Sequence, residues 1–164
     1  MRKIVQKNDL LNKSEKLIIH IGILGLLPFF MGLFDLLINK SNLFFVVNLP
    51  KYYGSIIFTF LGAIYWGTIL NLSPKRVIPE QIKFFIIIWS VTPSILAIAI
   101  LSIKSNFSLL VLSVGFLLCQ LVDELCNKYL LLPNWYLHLR RMLTLVVVLV
   151  LLCSYFIIEI PREI

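Results

Sequence analysis

Charge is scarce in this sequence. Only 14% of its 164 residues are Asp, Glu, Lys or Arg, and just 8 are acidic. A soluble domain of this length needs polar side chains over most of its surface, and so few charges exclude one. Histidine occurs twice and cysteine three times, at Cys119, Cys126 and Cys153, with no Cys-x-x-Cys pair and no Cys/His cluster. That scarcity argues against a metal centre or a disulfide framework, so no metal ligands and no cofactor are assigned. Cys119 and Cys153 stand in apolar runs, where cysteine behaves as a small hydrophobe. Period-two alternation is missing too. Stretches such as Phe84–Ile88 are apolar throughout, which excludes a transmembrane barrel.

What is abundant is apolar chain. Sixty per cent of the residues are hydrophobic, and the mean hydropathy is +0.96. The apolar residues fall into runs long enough to cross a hydrocarbon core of roughly 30 Å, which takes about 20 helical residues. Backbone in lipid must satisfy its own hydrogen bonds, so these runs become helices. The expected fold is all-α: a polytopic helical membrane bundle of about five spans, near 17–38, 52–72, 84–103, 107–126 and 136–158. They form one domain over 17–160, preceded by a basic tail over 1–16.

The first run is too long for the apolar core of a signal peptide and has no small-x-small cleavage site after it, so it reads as an uncleaved helix kinked at Pro28. Asn39–Lys51 reads as a connection whose apolar patch, Leu43–Val47, is too short to span. The third run contains Pro93, another expected kink. Lys104 to Asn106 leaves room only for a tight turn.

Lys and Arg fall unequally in alternate gaps. Eleven lie in the N-terminal tail, around Lys75 and Lys83, and between Lys128 and Arg141, against four at Lys40, Lys51, Lys104 and Arg162. This bias sets the N-terminus in the cytoplasm (or the matrix of an organelle) and the C-terminus outside. The net charge of +7 is scattered among the gaps and forms no basic stripe, so nucleic acid is not an expected partner.

Two groups of residues stand out inside the runs. In the second, Ser55, Thr59, Ala63 and Gly67 recur every fourth residue, with Gly54 and Gly62 beside them. Small residues at that spacing form a seam for close helix packing. Tyr65 and Trp66, near the end of the run, read as an interfacial anchor. The other group lies between the fourth and fifth runs. If the fourth helix continues past Val122, then Gln120, Asp123, Glu124 and Asn127 gather within two turns. Tyr136, Arg140 and Thr144 share one face of the fifth helix, and His138 and Arg141 share another. Ionisable groups at membrane depth are costly and tend to pair. Because Arg140 and Arg141 differ by about 100° of rotation, only one can face inward. Arg140 is expected to turn toward Asp123 or Glu124, with Arg141 snorkelling to headgroups. His20 falls near the same end, which leaves a proton relay with His138 conceivable. Asp35 reads as an end charge or a partner for Lys40.

Several segments resemble a known family: Tyr53-Gly54, Phe60-Leu61-Gly62 and Trp66-Gly67, then Pro93-Ser94, Asp123, Leu132-Pro133, Trp135-Tyr136, Leu139-Arg140 and Leu143-Thr144 in order and spacing. The chain is similar in this to the bacterial and mitochondrial domain-of-unknown-function membrane family that includes transmembrane protein 69. The family commonly has a His before the Trp-Gly pair, where this chain has Tyr65. The resemblance implies the architecture and supplies no reaction.

Function is constrained less. The lack of a soluble domain and the thin face of the second helix point to a non-catalytic interaction or assembly component of an inner-membrane complex. Its expected partners are the bilayer, other membrane proteins or further copies of itself. The alternative is a small oligomeric transporter or channel using the Asp123/Glu124–Arg140 cluster. An enzyme acting on lipid or quinone ranks last, for no catalytic residue can be assigned without a nucleophile, base and stabiliser in reach of one another.

Overall fold

The computed structural model of the chain describes residues 12–38, 43–70, 78–130 and 132–159. These form α1 (Lys13–Leu24), α2 (Leu27–Ile38), α3 (Leu43–Leu70), α4 (Glu80–Ser102), α5 (Phe107–Leu130) and α6 (Asn134–Glu159). Five helical stretches among them are long and apolar enough to cross a membrane: Lys13–Asp35, Asn48–Leu70, Glu80–Ser102, Phe107–Tyr129 and Asn134–Glu159. They suggest a multi-pass membrane protein. The tail through Leu11, Lys40, the Pro74–Arg76 break and Arg162 lie outside the described residues.

The first span is α1 and α2 together. A two-residue turn at Gly25 and Leu26 separates them, and Pro28 follows as the second residue of α2. Proline has no N–H to return to the Leu24 carbonyl, so the expected kink is a full break just before it. Helix α1 buries none of its residues, whereas α2 buries Phe29.

Helix α3 is longer than its apolar run. It begins at Leu43 and carries Pro50 inside it, so Leu43–Val47 is helical backbone continuous with the span, not part of a connection. Pro50 lies two turns into α3, where it removes the hydrogen bond that an N–H would make to the Val46 carbonyl, a loss that membrane helices tolerate when neighbouring groups compensate. Lys51 is correspondingly buried, and its Nζ donates to the carbonyl of Ile103 at the end of α4. A cation there satisfies a carbonyl that has no intrahelical partner.

Consecutive spans run antiparallel. Lys51 near the start of α3 meets the end of α4, and Asn106 before α5 meets Glu159 at the end of α6. Helix α3 packs on α4, α2 and α5, while α5 packs along α6. The core joins Phe29 of α2, Phe58 and Leu61 of α3, Ala97 and Ile100 of α4, Leu112 and Phe116 of α5, and Val147 and Leu151 of α6. Phe116 lies edge-on to Phe29, with ring centroids 6.3 Å apart, and tilted against Phe58 at 6.0 Å. Side chains such as Ile56, Phe60, Ile95, Ile98, Met142 and Leu149 point outward, as a surface solvated by lipid requires.

Candidate functional site

The polar groups of the bundle meet where α3 ends, α5 ends and α6 begins. Helix α5 does continue past Val122, to Leu130, which carries Asp123 into the bundle at 3% exposure. Asn127 closes the following turn by accepting the Leu132 N–H at 3.0 Å. Helix α6 then starts directly after Pro133, and its second turn delivers Arg140 at 6% exposure.

Asp123 is fully engaged. Its Oδ2 accepts from Arg140 Nε at 2.9 Å and from Nη2 at 2.8 Å. Its Oδ1 accepts from the Tyr65 hydroxyl at 2.5 Å, and that hydroxyl also lies 3.4 Å from the Cys119 carbonyl. One carboxylate thus ties together three helices. Such a pair is retained at low dielectric only when its remaining hydrogen-bonding capacity is met, and Tyr65 meets it.

A second pair stands one residue further along both helices. Arg141 donates through Nε to Glu124 Oε1 at 2.6 Å and through Nη2 to Oε2 at 2.7 Å, the planar fork geometry that guanidinium favours. Gln120 adds a bond to Glu124 Oε1 at 2.9 Å. Both charged side chains here are partly open to the surroundings. Adjacent acids on α5 therefore meet adjacent arginines on α6 as two rungs, one buried and one exposed. Arg141, expected to reach out to headgroups alone, is held by Glu124.

The other expected site residues divide. Tyr136 is half-buried beside Arg140, and Thr144 is buried with its hydroxyl 3.5 Å from Gln120 Oε1. His20 and His138 are both exposed, and each turns Nδ1 to the carbonyl four residues back on its own helix, Lys16 and Asn134. Neither is hydrogen-bonded to the acid–arginine group among the described residues, so the geometry offers no support for the relay.

The thin face of α3 is only partly a seam. Ser55 and Gly62 are buried and Thr59 is half-buried, but Ala63 and Gly67 are exposed. A Cβ on Gly67 would meet nothing within 4 Å, whereas one on Gly62 would stand 2.7 Å from the Ser90 carbonyl oxygen and 2.9 Å from Pro93 Cγ. A row taken every fourth residue drifts by about 40° per step. After three steps it has rotated out of the interface. The buried face instead steps through Ser55, Phe58, Gly62 and Tyr65. Tyr65 therefore belongs inside, 1% exposed, while its neighbour Trp66 is the outward aromatic. The sequence signal for this was the three-and-four spacing from Phe58 through Gly62, which an anchor assignment overlooks.

Beside the buried pair lies a cavity of about 350 Å³ bounded by α1, α2, α3, α5 and α6. Its wall is apolar apart from Tyr53, Tyr136, Arg140 and Thr144. Cys119 and Cys126 are buried free thiols on α5, Cys153 is exposed, and no group of three or more metal-ligating side chains occurs among the described residues.

A family model described as a protein of unknown function, DUF3429, matches residues 14–156. No curated protein and no solved structure matches the chain. The matched segment runs from the start of α1 almost to the end of α6 and includes every residue of the paired cluster, so the chain belongs to the DUF3429 family.

Proposed function

We propose that the protein is a non-catalytic membrane component that docks against other transmembrane helices in an assembly of the inner membrane. The observation that carries this is the outward row Ala63 and Gly67 on α3, small residues left uncovered next to the large exposed Phe60 and Trp66. A notch of that kind admits a second helix to close backbone distance, and close packing is what holds helices together in lipid. Its buried charges favour a structural role as well, since Asp123 and Arg140 are matched to each other, as are the partly exposed Glu124 and Arg141.

The excess of Lys and Arg at the end where α1 begins and α5 meets α6 supports a cytoplasmic or matrix placement of that end. The ordered motif from Leu132 to Thr144 supports kinship with the mitochondrial branch that includes transmembrane protein 69.

Extraction in mild detergent followed by native gel electrophoresis tests the docking role. The wild type is expected to migrate as a complex with a reproducible partner, and Gly67→Ile with Ala63→Leu to release a folded monomer. A wild type that migrates alone, or a complex untouched by the double substitution, sinks the proposal. A transporter is the second reading, favoured by the cavity that reaches Arg140. Solute or proton flux through reconstituted vesicles, lost in Arg140→Leu at normal protein level, supports transport over assembly.

A further inference from the structure

The cavity next to the buried pair has the chemistry of a binding site. Its volume of about 350 Å³ lies within the range that holds small ligands. Ile57, Leu61 and Phe116 give it an apolar wall, and on α6 the groups Tyr136, Arg140 and Thr144 line one side. Its outer boundary is α1, which buries none of its residues, and Ile21 and Phe60 at the margin are exposed. Entry is therefore sideways, from the surface that faces lipid.

Arg140 comes to this cavity with its charge already balanced by Asp123. A guanidinium has five N–H donors, and among the described residues Asp123 is its only hydrogen-bonded acceptor, reached through Nε and Nη2. Donors remain for something in the cavity. The Tyr136 hydroxyl has no hydrogen-bond partner among the described residues either, and it lines the same space. An anionic ligand would leave a net negative charge at low dielectric, which is heavily penalised. A neutral carbonyl oxygen takes the same hydrogen bonds without that penalty.

Depth selects among neutral carbonyl compounds. Arg140 is six residues into α6, about 9 Å along the axis at 1.5 Å per residue. That places the donors near the edge of the hydrocarbon region, where the acyl esters of membrane lipids lie, and not at its middle. We infer that the cavity holds one acyl chain of a membrane glycerolipid, whose ester carbonyl accepts from Arg140 and Tyr136. This does not depend on the docking role of α3.

The test is photolabelling of the full chain in phosphatidylcholine vesicles doped with a phosphatidylcholine that carries a diazirine on one acyl chain. Label is expected on Ile57, Leu61 or Phe116. Tyr136→Phe, which removes one hydrogen bond, lowers that label about fivefold. Filling the space with Leu143→Trp, or from the facing wall with Ile64→Trp, abolishes it in whichever variant keeps the wild-type unfolding temperature. Label confined to outward residues such as Ile56, Phe60 and Met142, or wall label that survives filling, overturns the site. A trace isoprenoid quinone with the same diazirine that labels the wall and suppresses the lipid's label there overturns the choice of a glycerolipid.

Discussion

The hydroxyl of Tyr65 donates to Asp123 Oδ1 at 2.5 Å, joining α3 to α5 across 58 residues of sequence. Arg140 occupies the other oxygen of the same carboxylate. Asp123 thereby fixes the height of three helices against one another, which apolar packing alone leaves free to slide. The consequences for stability differ sharply among residues that look alike in sequence.

Arg140→Leu leaves Asp123 charged and enclosed. The expected loss is about 3–5 kcal/mol, measured as a lower unfolding temperature in detergent. Replacing both Asp123 and Arg140 by Leu recovers most of it, because the penalty arises from the orphaned charge. A double-mutant cycle that shows simple additivity disproves the pairing.

Tyr65→Phe keeps the ring and loses only the bond to the carboxylate. Hydrogen bonds to charged groups are worth about 1.5–3 kcal/mol, and that destabilisation is expected here. Trp66→Phe, one residue on and exposed, should stay within about 0.5 kcal/mol. Equal effects at the two positions contradict the burial of Tyr65.

The outer rung behaves differently. Arg141→Gln breaks the fork to Glu124 at a partly open site, where ion pairs are weak and screened by salt. Unfolding in high salt is expected to be indistinguishable from wild type, and any difference should appear only at low ionic strength.

Two glycines of α3 separate by the same logic. Gly62→Ala drives a methyl against the Ser90 carbonyl and the Pro93 ring. Backbone cannot rotate away as a side chain can, so α3 and α4 part, at about 1–3 kcal/mol. Gly67→Ala meets open space and should leave stability unchanged or raise it by up to about 1 kcal/mol through helix propensity. Thermal unfolding of the two variants side by side decides it.

The spans and the acid–arginine group were legible because lipid imposes severe rules: long apolar runs, and charges that must find each other. Which acid takes which arginine was not legible. Asp123 and Glu124 are neighbours on one helix, Arg140 and Arg141 neighbours on the next, and only the rotation of both helices resolves the rungs. Tyr65 escaped for a related reason. A tyrosine beside a tryptophan near the end of a run fits the interface and the interior equally, until α3 is seen to pack against α2, α4 and α5 through the face that carries Tyr65. The Asn39–Lys51 connection departs in the opposite direction. From Leu43 on it is the start of α3, with Pro50 inside the helix, since one proline removes one backbone bond and leaves the rest of the ladder in place.

The counter-ion of Asp123 lies on the following helix, only 17 residues on in the chain. While α5 is being made, its carboxylate has no arginine partner, and an unpaired acidic group raises the free energy of insertion, by about 2.5–3.5 kcal/mol at a helix centre and by less toward the end where Asp123 lies. Once α6 emerges the charge is cancelled within the same hairpin. Biogenesis thus favours releasing α5 and α6 into the membrane together, with the earlier helices waiting for Asp123 to arrive already neutral.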